Sequence, residues 1–124
     1  MRIDYTKHAT TQEITERFNN DVERFSNLDT GQLTTIDAPL SMELCTSAAQ
    51  YLNADATELL DIGCGAGNYT LKMLEKIQNL NCTMNDLSIA MLDKAKERVK
   101  AKTSGKVTVI EADMLHLNHG KKRY

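Results

Sequence analysis

A chain of 124 residues with 41% hydrophobic and 26% charged residues has the composition of one ordinary globular domain and not of a disordered segment. Its net charge of −2 and pI near 5.9 argue against nucleic acid as a partner, since phosphate binding leaves a basic footprint that Lys121-Lys122-Arg123 is too short to supply. No apolar run reaches the roughly 18 residues of a membrane span, residues 1–5 lack a signal-peptide hydrophobic region, and Cys45, Cys64 and Cys82 have no paired or metal-ligating spacing, so a cytoplasmic protein without disulfides or metal is expected.

In chain order, Ile14, Phe18, Val22 and Phe25 recur at helical spacing and predict one amphipathic helix over residues 11–26, with Glu13 and Arg17 four apart on its solvent side. Residues 28–37 are polar, contain Gly31 and read as a loop. Pro39 suits the first turn of a second helix, whose expected buried face is Leu40, Leu44, Ala48 and Leu52. After residues 53–56 the pattern alternates between strand and helix, as in a parallel α/β sheet. Residues 58–62 form the first strand, with Leu59, Leu60 and Ile62 expected to be buried on both faces. A helix over 68–77 carries Tyr69, Met73, Leu74 and Ile77 inward, and a short strand spans 81–85. Ser88 caps a further helix with Met91, Leu92, Ala95 and Val99 inside, Ser104-Gly105 turns the chain, and residues 107–111 form the third strand. Right-handed crossovers place strand two beside strand one and strand three beyond it. The expected fold is α/β: a Rossmann-like parallel sheet in its β-α-β-α-β portion, preceded by two N-terminal helices and cut off after the third strand.

The chemistry concentrates in residues 58–67, Glu-Leu-Leu-Asp-Ile-Gly-Cys-Gly-Ala-Gly. An apolar strand yields to Gly63, Gly65 and Gly67, which let the backbone turn sharply and approach a ligand where a Cβ would collide. The next helix directs its free N–H groups at that ligand. Asp61, Asp86 and Asp113 end three successive strands, the place where open α/β sheets bind ligands. Asp86 follows Gly67 by about 20 residues, the interval at which an acidic residue meets ribose hydroxyls, and a carboxylate accepts both hydrogen bonds of a vicinal diol. Each acid alone could be a strand end, a helix start or a turn former; their coincidence favours a nucleoside-cofactor pocket.

Asp61-Ile62-Gly63-Cys64-Gly65-Ala66-Gly67 resembles the first motif of the class I S-adenosylmethionine-dependent methyltransferases. Asn85-Asp86-Leu87-Ser88 resembles their acidic second-strand motif and Glu111-Ala112-Asp113-Met114 the third, the whole resemblance covering residues 58–117. It implies S-adenosylmethionine as cofactor, bound by Asp61, Gly63, Cys64, Gly65, Gly67, Asp86, Leu87, Asp113 and Met114. In that arrangement Gly63 and Gly65 pass the methionine portion and Asp61 helps hold its amino group. Asp86 takes the ribose hydroxyls, Leu87 packs on the adenine, and Asp113 with the Met114 backbone meets the adenine amino group. It also implies methyl transfer to a small-molecule acceptor, a lid formed by residues 1–56, and a cofactor-binding half-domain at 57–124. A sulfonium and an ammonium without phosphates suit carboxylates, whereas a dinucleotide brings a pyrophosphate towards Asp61. A nicotinamide-dependent oxidoreductase, the third reading, needs a glycine where Asn68 stands.

No residue is predicted to be catalytic. Cys64 reads as a small loop residue, and His116 and His119 as solvated loop histidines. His8 and Tyr5 lie ahead of the first helix, with acceptor contact as the alternative to a bare terminus. The loop with Thr30, Gly31 and Gln32 is left open. The resembled fold has seven strands with strand one central beside strand four, so the chain reads as the cofactor half of a longer enzyme or as a protein that forms homo-oligomers through the edge of strand one. A non-catalytic cofactor-binding or interaction protein is the competing reading.

Overall fold

The computed structural model describes residues 8–26 and 38–117; the expectations for Tyr5, Thr30, Gly31, Gln32, His119 and the basic end lie outside them. Two short helices, α1 (Thr11–Asn20) and α2 (Val22–Ser26), lead to α3 (Ala38–Leu52) and then to β1 (Glu58–Ile62), α4 (Asn68–Lys76), β2 (Asn81–Asp86), α5 (Ile89–Lys100) and β3 (Val107–Glu111). A single 3-10 turn, Met114–His116, follows. Among the described residues no helix is long and apolar enough to cross a membrane.

The sheet is parallel, in the order β1-β2-β3. Its register pairs Ile62 with Asn85 and Asp86 with Glu111, so the three strands finish side by side and their following loops leave from one edge. Leu59, Cys82, Met84, Val107 and Val109 share one face and pack against Met73, Leu74 and Ile77 of the α4 segment and Leu92, Ala95 and Val99 of α5. Met84, Ala95 and Val99 are wholly buried there, at 0% exposure. Ser88 caps α5 by accepting from the Met91 N–H at 3.2 Å, as the sequence leads one to expect.

Three local expectations fail for identifiable reasons. The helix expected over 11–26 breaks at Asp21, whose φ of −109° and ψ of 17° leave the helical region. Unbroken helix would set positions 18 and 25 about 10 Å apart along the axis; with the break, the Phe18 and Phe25 rings pack at 5.2 Å between centroids. α1 itself starts in a capping box, with Thr10 Oγ1 accepting from the Glu13 N–H and the Glu13 carboxylate accepting from the Thr10 N–H.

β1 is less enclosed than expected. It pairs with β2 alone among the described residues, Leu59 and Leu60 are half-buried, and Ile62 is exposed.

The third failure concerns α3. Leu40, Leu44, Ala48 and Leu52 are exposed, and the buried positions are Ala38, Met42 and Thr46. Polar contacts set this rotation. Glu43 pairs with Lys72 and Lys76 on α4, which hold its carboxyl down at a pKa of about 2, and Gln50 Nε2 donates to the Lys76 carbonyl at 2.9 Å, satisfying an orphan acceptor at the end of α4. Thr46 tolerates burial because its hydroxyl donates to the Met42 carbonyl at 2.8 Å. The apolar stripe read from spacing therefore faces outward, with Tyr51 beside it at 87% exposure.

A pair of substitutions checks the rotation. Met42→Ala, at a site 3% exposed, is expected to cost about 2–5 kcal/mol, and Leu44→Ala, at 62%, less than about 0.5 kcal/mol. Urea midpoints measure both; a larger loss at Leu44 would restore the face predicted from spacing.

Candidate functional site

The aligned strand ends build a cavity of about 480 Å³ lined by Gly63, Cys64, Gly65 and Ala66 from the loop after β1 and by Asn85, Asp86 and Leu87 from the end of β2. Ala112, Asp113 and Met114 after β3 close one side, Asn68, Tyr69 and Met91 another, and Phe18 and Phe25 bring in the leading helices.

Gly63, Gly65 and Gly67 take φ of +69°, +55° and +85°, the left-handed region that side chains avoid. A Cβ on Gly65 would meet nothing within 4 Å, so backbone conformation and the open cavity beyond it, not crowding within the protein, explain that glycine. Gly67 differs. A Cβ there would stand 3.2 Å from the Ala95 Cβ and 3.5 Å from Val99, and Gly67 is not among the cavity-lining residues: its missing side chain lets α5 approach the loop.

The loop is held from β2. The Cys64 N–H donates to the Asn85 carbonyl at 2.8 Å, and the Gly65 N–H donates to Asp86 Oδ2 at 2.9 Å. Asp86 Oδ1 accepts from the Ser88 N–H at 3.0 Å. Asn85, buried at 1% exposure, donates from Nδ2 to the carbonyls of Ile110 and Ala112 and so fixes the path of the chain towards Asp113. Asp113 caps the 3-10 turn, accepting from the Leu115 N–H at 3.0 Å.

Asp61 departs from the expected trio. It is absent from the cavity wall, and its carboxylate accepts from the Thr70 hydroxyl at 2.7 Å behind the loop. Burial raises its pKa above the usual 3.8; the Thr70 bond opposes this and the Asp86 charge adds to it. Cys64 is buried, and its thiol is pushed far up, first by burial and then by the charges of Asp61 and Asp86, which keeps it protonated and poorly nucleophilic.

Several lining residues carry no site prediction from sequence. Asn85 could have been noticed as an amide inside a strand. Phe18 and Phe25 look like ordinary helix stripe, and Tyr69, expected inward, is 39% exposed at the cavity. His116 is exposed on the 3-10 turn, and His8 precedes α1. Among the described residues no group of three His, Cys, Asp or Glu side chains could hold a metal.

With this geometry, the family described as "Methyltransferase domain" matches residues 59–124. The chain belongs to the class I S-adenosylmethionine-dependent methyltransferases. Among curated proteins, this chain is 33% identical over 61 residues to the malonyl-[acyl-carrier protein] O-methyltransferase of Paenibacillus sp. (strain JDR-2), covering 49% of this chain and 22% of that one. Its fold is similar to magnesium protoporphyrin IX methyltransferase from Synechocystis PCC 6803 with bound SAH, at TM-score 0.62 and 17% identity, over 87% of this chain and 53% of that one. It is also similar to the [4+2]-cyclase SpnF, at TM-score 0.67 and 16% identity, over 90% of this chain and 46% of that one. The chain thus spans about half the length of these solved structures. The family match takes in the loop, Asp86 and Asp113 and leaves α1, α2 and α3 outside it.

Asp61 gives a pH test. A raised native pKa means that the folded state keeps its proton to higher pH than the unfolded one, so stability falls as pH rises through and above about 3.8. Asp61→Asn keeps an acceptor for Thr70 and removes the titration. The stability of the variant relative to the parent is expected to grow as pH rises through and above about 3.8; a constant difference in urea unfolding would show that Asp61 ionises at no cost.

Proposed function

We propose that this chain binds S-adenosylmethionine in the cavity and presents its methyl group to a small-molecule acceptor. One observation supports this above the rest: among the described residues the wall holds two carboxylates, Asp86 and Asp113, and no lysine, arginine or histidine. Such a wall suits a ligand bearing a sulfonium and an ammonium and disfavours a pyrophosphate. Its volume, about 480 Å³, lies within the range of small-molecule sites.

The residues fit the cofactor. Asp86 uses one acceptor site on each oxygen for Gly65 and Ser88, and a carboxylate offers about four, so two remain for a vicinal diol without releasing the loop. Leu87 and Met91 give apolar surface to an adenine, and Asp113 an acceptor for its amino group. The open space beyond Gly63 and Gly65 admits close approach of the methionine portion. Phe18, Phe25 and Tyr69 offer aromatic faces of the kind that attract a sulfonium, and they narrow access to water. When bound, the cofactor supplies an already activated methyl group. Orientation and water exclusion are the protein's share, worth roughly 7–11 kcal/mol in favourable cases.

A binding-only role is the second reading, favoured by the fold's likeness to a [4+2]-cyclase, since a shared fold does not by itself bring methyl transfer. Calorimetry with S-adenosylhomocysteine and transfer of radiolabelled methyl to a metabolite extract separate the two. Binding is expected, and Asp86→Asn is expected to weaken it roughly tenfold to a hundredfold, the loss of charge-assisted hydrogen bonds. Binding without transfer would leave the second reading; no binding would overturn both.

A further inference from the structure

Beside the glycine loop, a chain of hydrogen bonds runs from α5 to the leading helices. Arg98 Nη1 donates to the Ala66 carbonyl at 2.7 Å and to Asn68 Oδ1 at 2.9 Å. Asn68 Nδ2 in turn donates to the Phe25 carbonyl at 3.1 Å. The Asn68 amide is thus engaged at both ends, and its orientation follows: the carbonyl faces a guanidinium that can only donate, the NH2 a carbonyl that can only accept. Phe25 O lies in the last turn of α2, where helix carbonyls lack intrahelical donors.

Ala66 belongs to the loop whose Gly63, Cys64 and Gly65 line the cavity, and Phe25 is itself a wall residue. Arg98 stands beside Val99, which Gly67 approaches closely, so α5 braces the loop both by contact and by hydrogen bonds. A second tie secures α1: Asn19 Oδ1 accepts from the Ser88 hydroxyl and, at 3.4 Å, from the Ala90 N–H. Glu23 on α2 also lies 3.8 Å from Lys94.

We infer that Arg98 and Asn68 are positioning residues that couple the glycine loop to the aromatic cover formed by Phe18 and Phe25, so that the loop's shape and the closing of the cavity change together. Arg98 acts through the Ala66 carbonyl and through Asn68; Asn68 carries the link across to α2. This rests on the cofactor reading for its purpose, not for its existence. It also gives position 68 a positive reason to be asparagine, since a glycine there could join neither partner.

Hydrogen exchange of the full chain tests the coupling. Asn68→Asp keeps an acceptor for Arg98, loses the donor to Phe25 and places an acid in the first turn of α4, where it favours the helix. Arg98→Met keeps the apolar stem and loses the donors. Asn68→Asp is expected to speed exchange about tenfold over residues 11–26 while leaving 58–67 unchanged; Arg98→Met is expected to speed both 63–68 and 11–26. S-adenosylhomocysteine is expected to slow both segments in the parent and only 63–67 in Asn68→Asp. Parent-like exchange over 11–26 in Asn68→Asp would overturn the coupling, as would loosening spread evenly through β1, β2 and β3. Should Arg98→Met fail to fold, Asn68→Asp decides alone. If the ligand slows nothing in the parent, the cofactor reading falls, and the ligand-free pattern still decides the coupling.

Discussion

Asp86 ends β2 with each carboxylate oxygen taken by a backbone N–H, Gly65 on one side and Ser88 on the other, while its own carbonyl accepts from the Ala112 N–H at 3.2 Å. Three segments far apart in sequence, the glycine loop, the start of α5 and the exit of β3, are thereby fixed to one residue. Hydrogen bonds to an ionised acceptor are roughly twice as strong as neutral ones. The parallel register makes the convergence geometrically possible, because it sets Ile62, Asn85 with Asp86, and Glu111 at one edge of the sheet. Without that register the glycines would still turn, but no carboxylate would meet them.

The βαβ portion was legible because each of its signals is local. β1 and β3 coincide with the apolar runs at Glu58–Ile62 and Val107–Glu111, β2 extends one residue past its expected end to Asp86, and α5 buries all four residues that spacing selected, behind its Ser88 cap. The class of fold and the place of the loop followed from these. What sequence could not show was settled by partners distant along the chain. α3 turned its leucines outward because Glu43 and Gln50 find α4, a fact absent from its own periodicity. The broken helix at Asp21 and the aromatic cover likewise depend on Asn19 and Phe25 meeting Ser88 and Asn68.

The three acids at the strand ends show the same limit more sharply. Sequence alone treats them as one set, but the register sets Asp61 opposite Met84, two residues short of Asp86, and Asp113 lies two residues past the end of β3. The fold gives them different tasks: Asp61 is buried behind the loop against Thr70, Asp86 organises backbone, and Asp113 caps a turn at the cavity rim. Among the described residues, only Asp86 and Asp113 bring charge to the wall. Asp61 still shapes the site indirectly, since its charge and that of Asp86 help keep the Cys64 thiol protonated within the loop.

This differentiation bears on what the fold can decide about chemistry. The backbone is similar both to a magnesium protoporphyrin IX methyltransferase and to a [4+2]-cyclase, at TM-scores of 0.62 and 0.67, so likeness of fold does not select a reaction. Selection must come from side chains that the shared scaffold leaves variable. In this chain α1 and α2 lie outside the matched family region, and their two phenylalanines complete a cavity whose other described lining residues lie within it. The motifs explain how a sulfonium cofactor would be held. The proposed cover, attached through Asn68, would control what else can reach it, so differences in acceptor among proteins of this fold are expected to follow the leading helices more closely than the glycine loop.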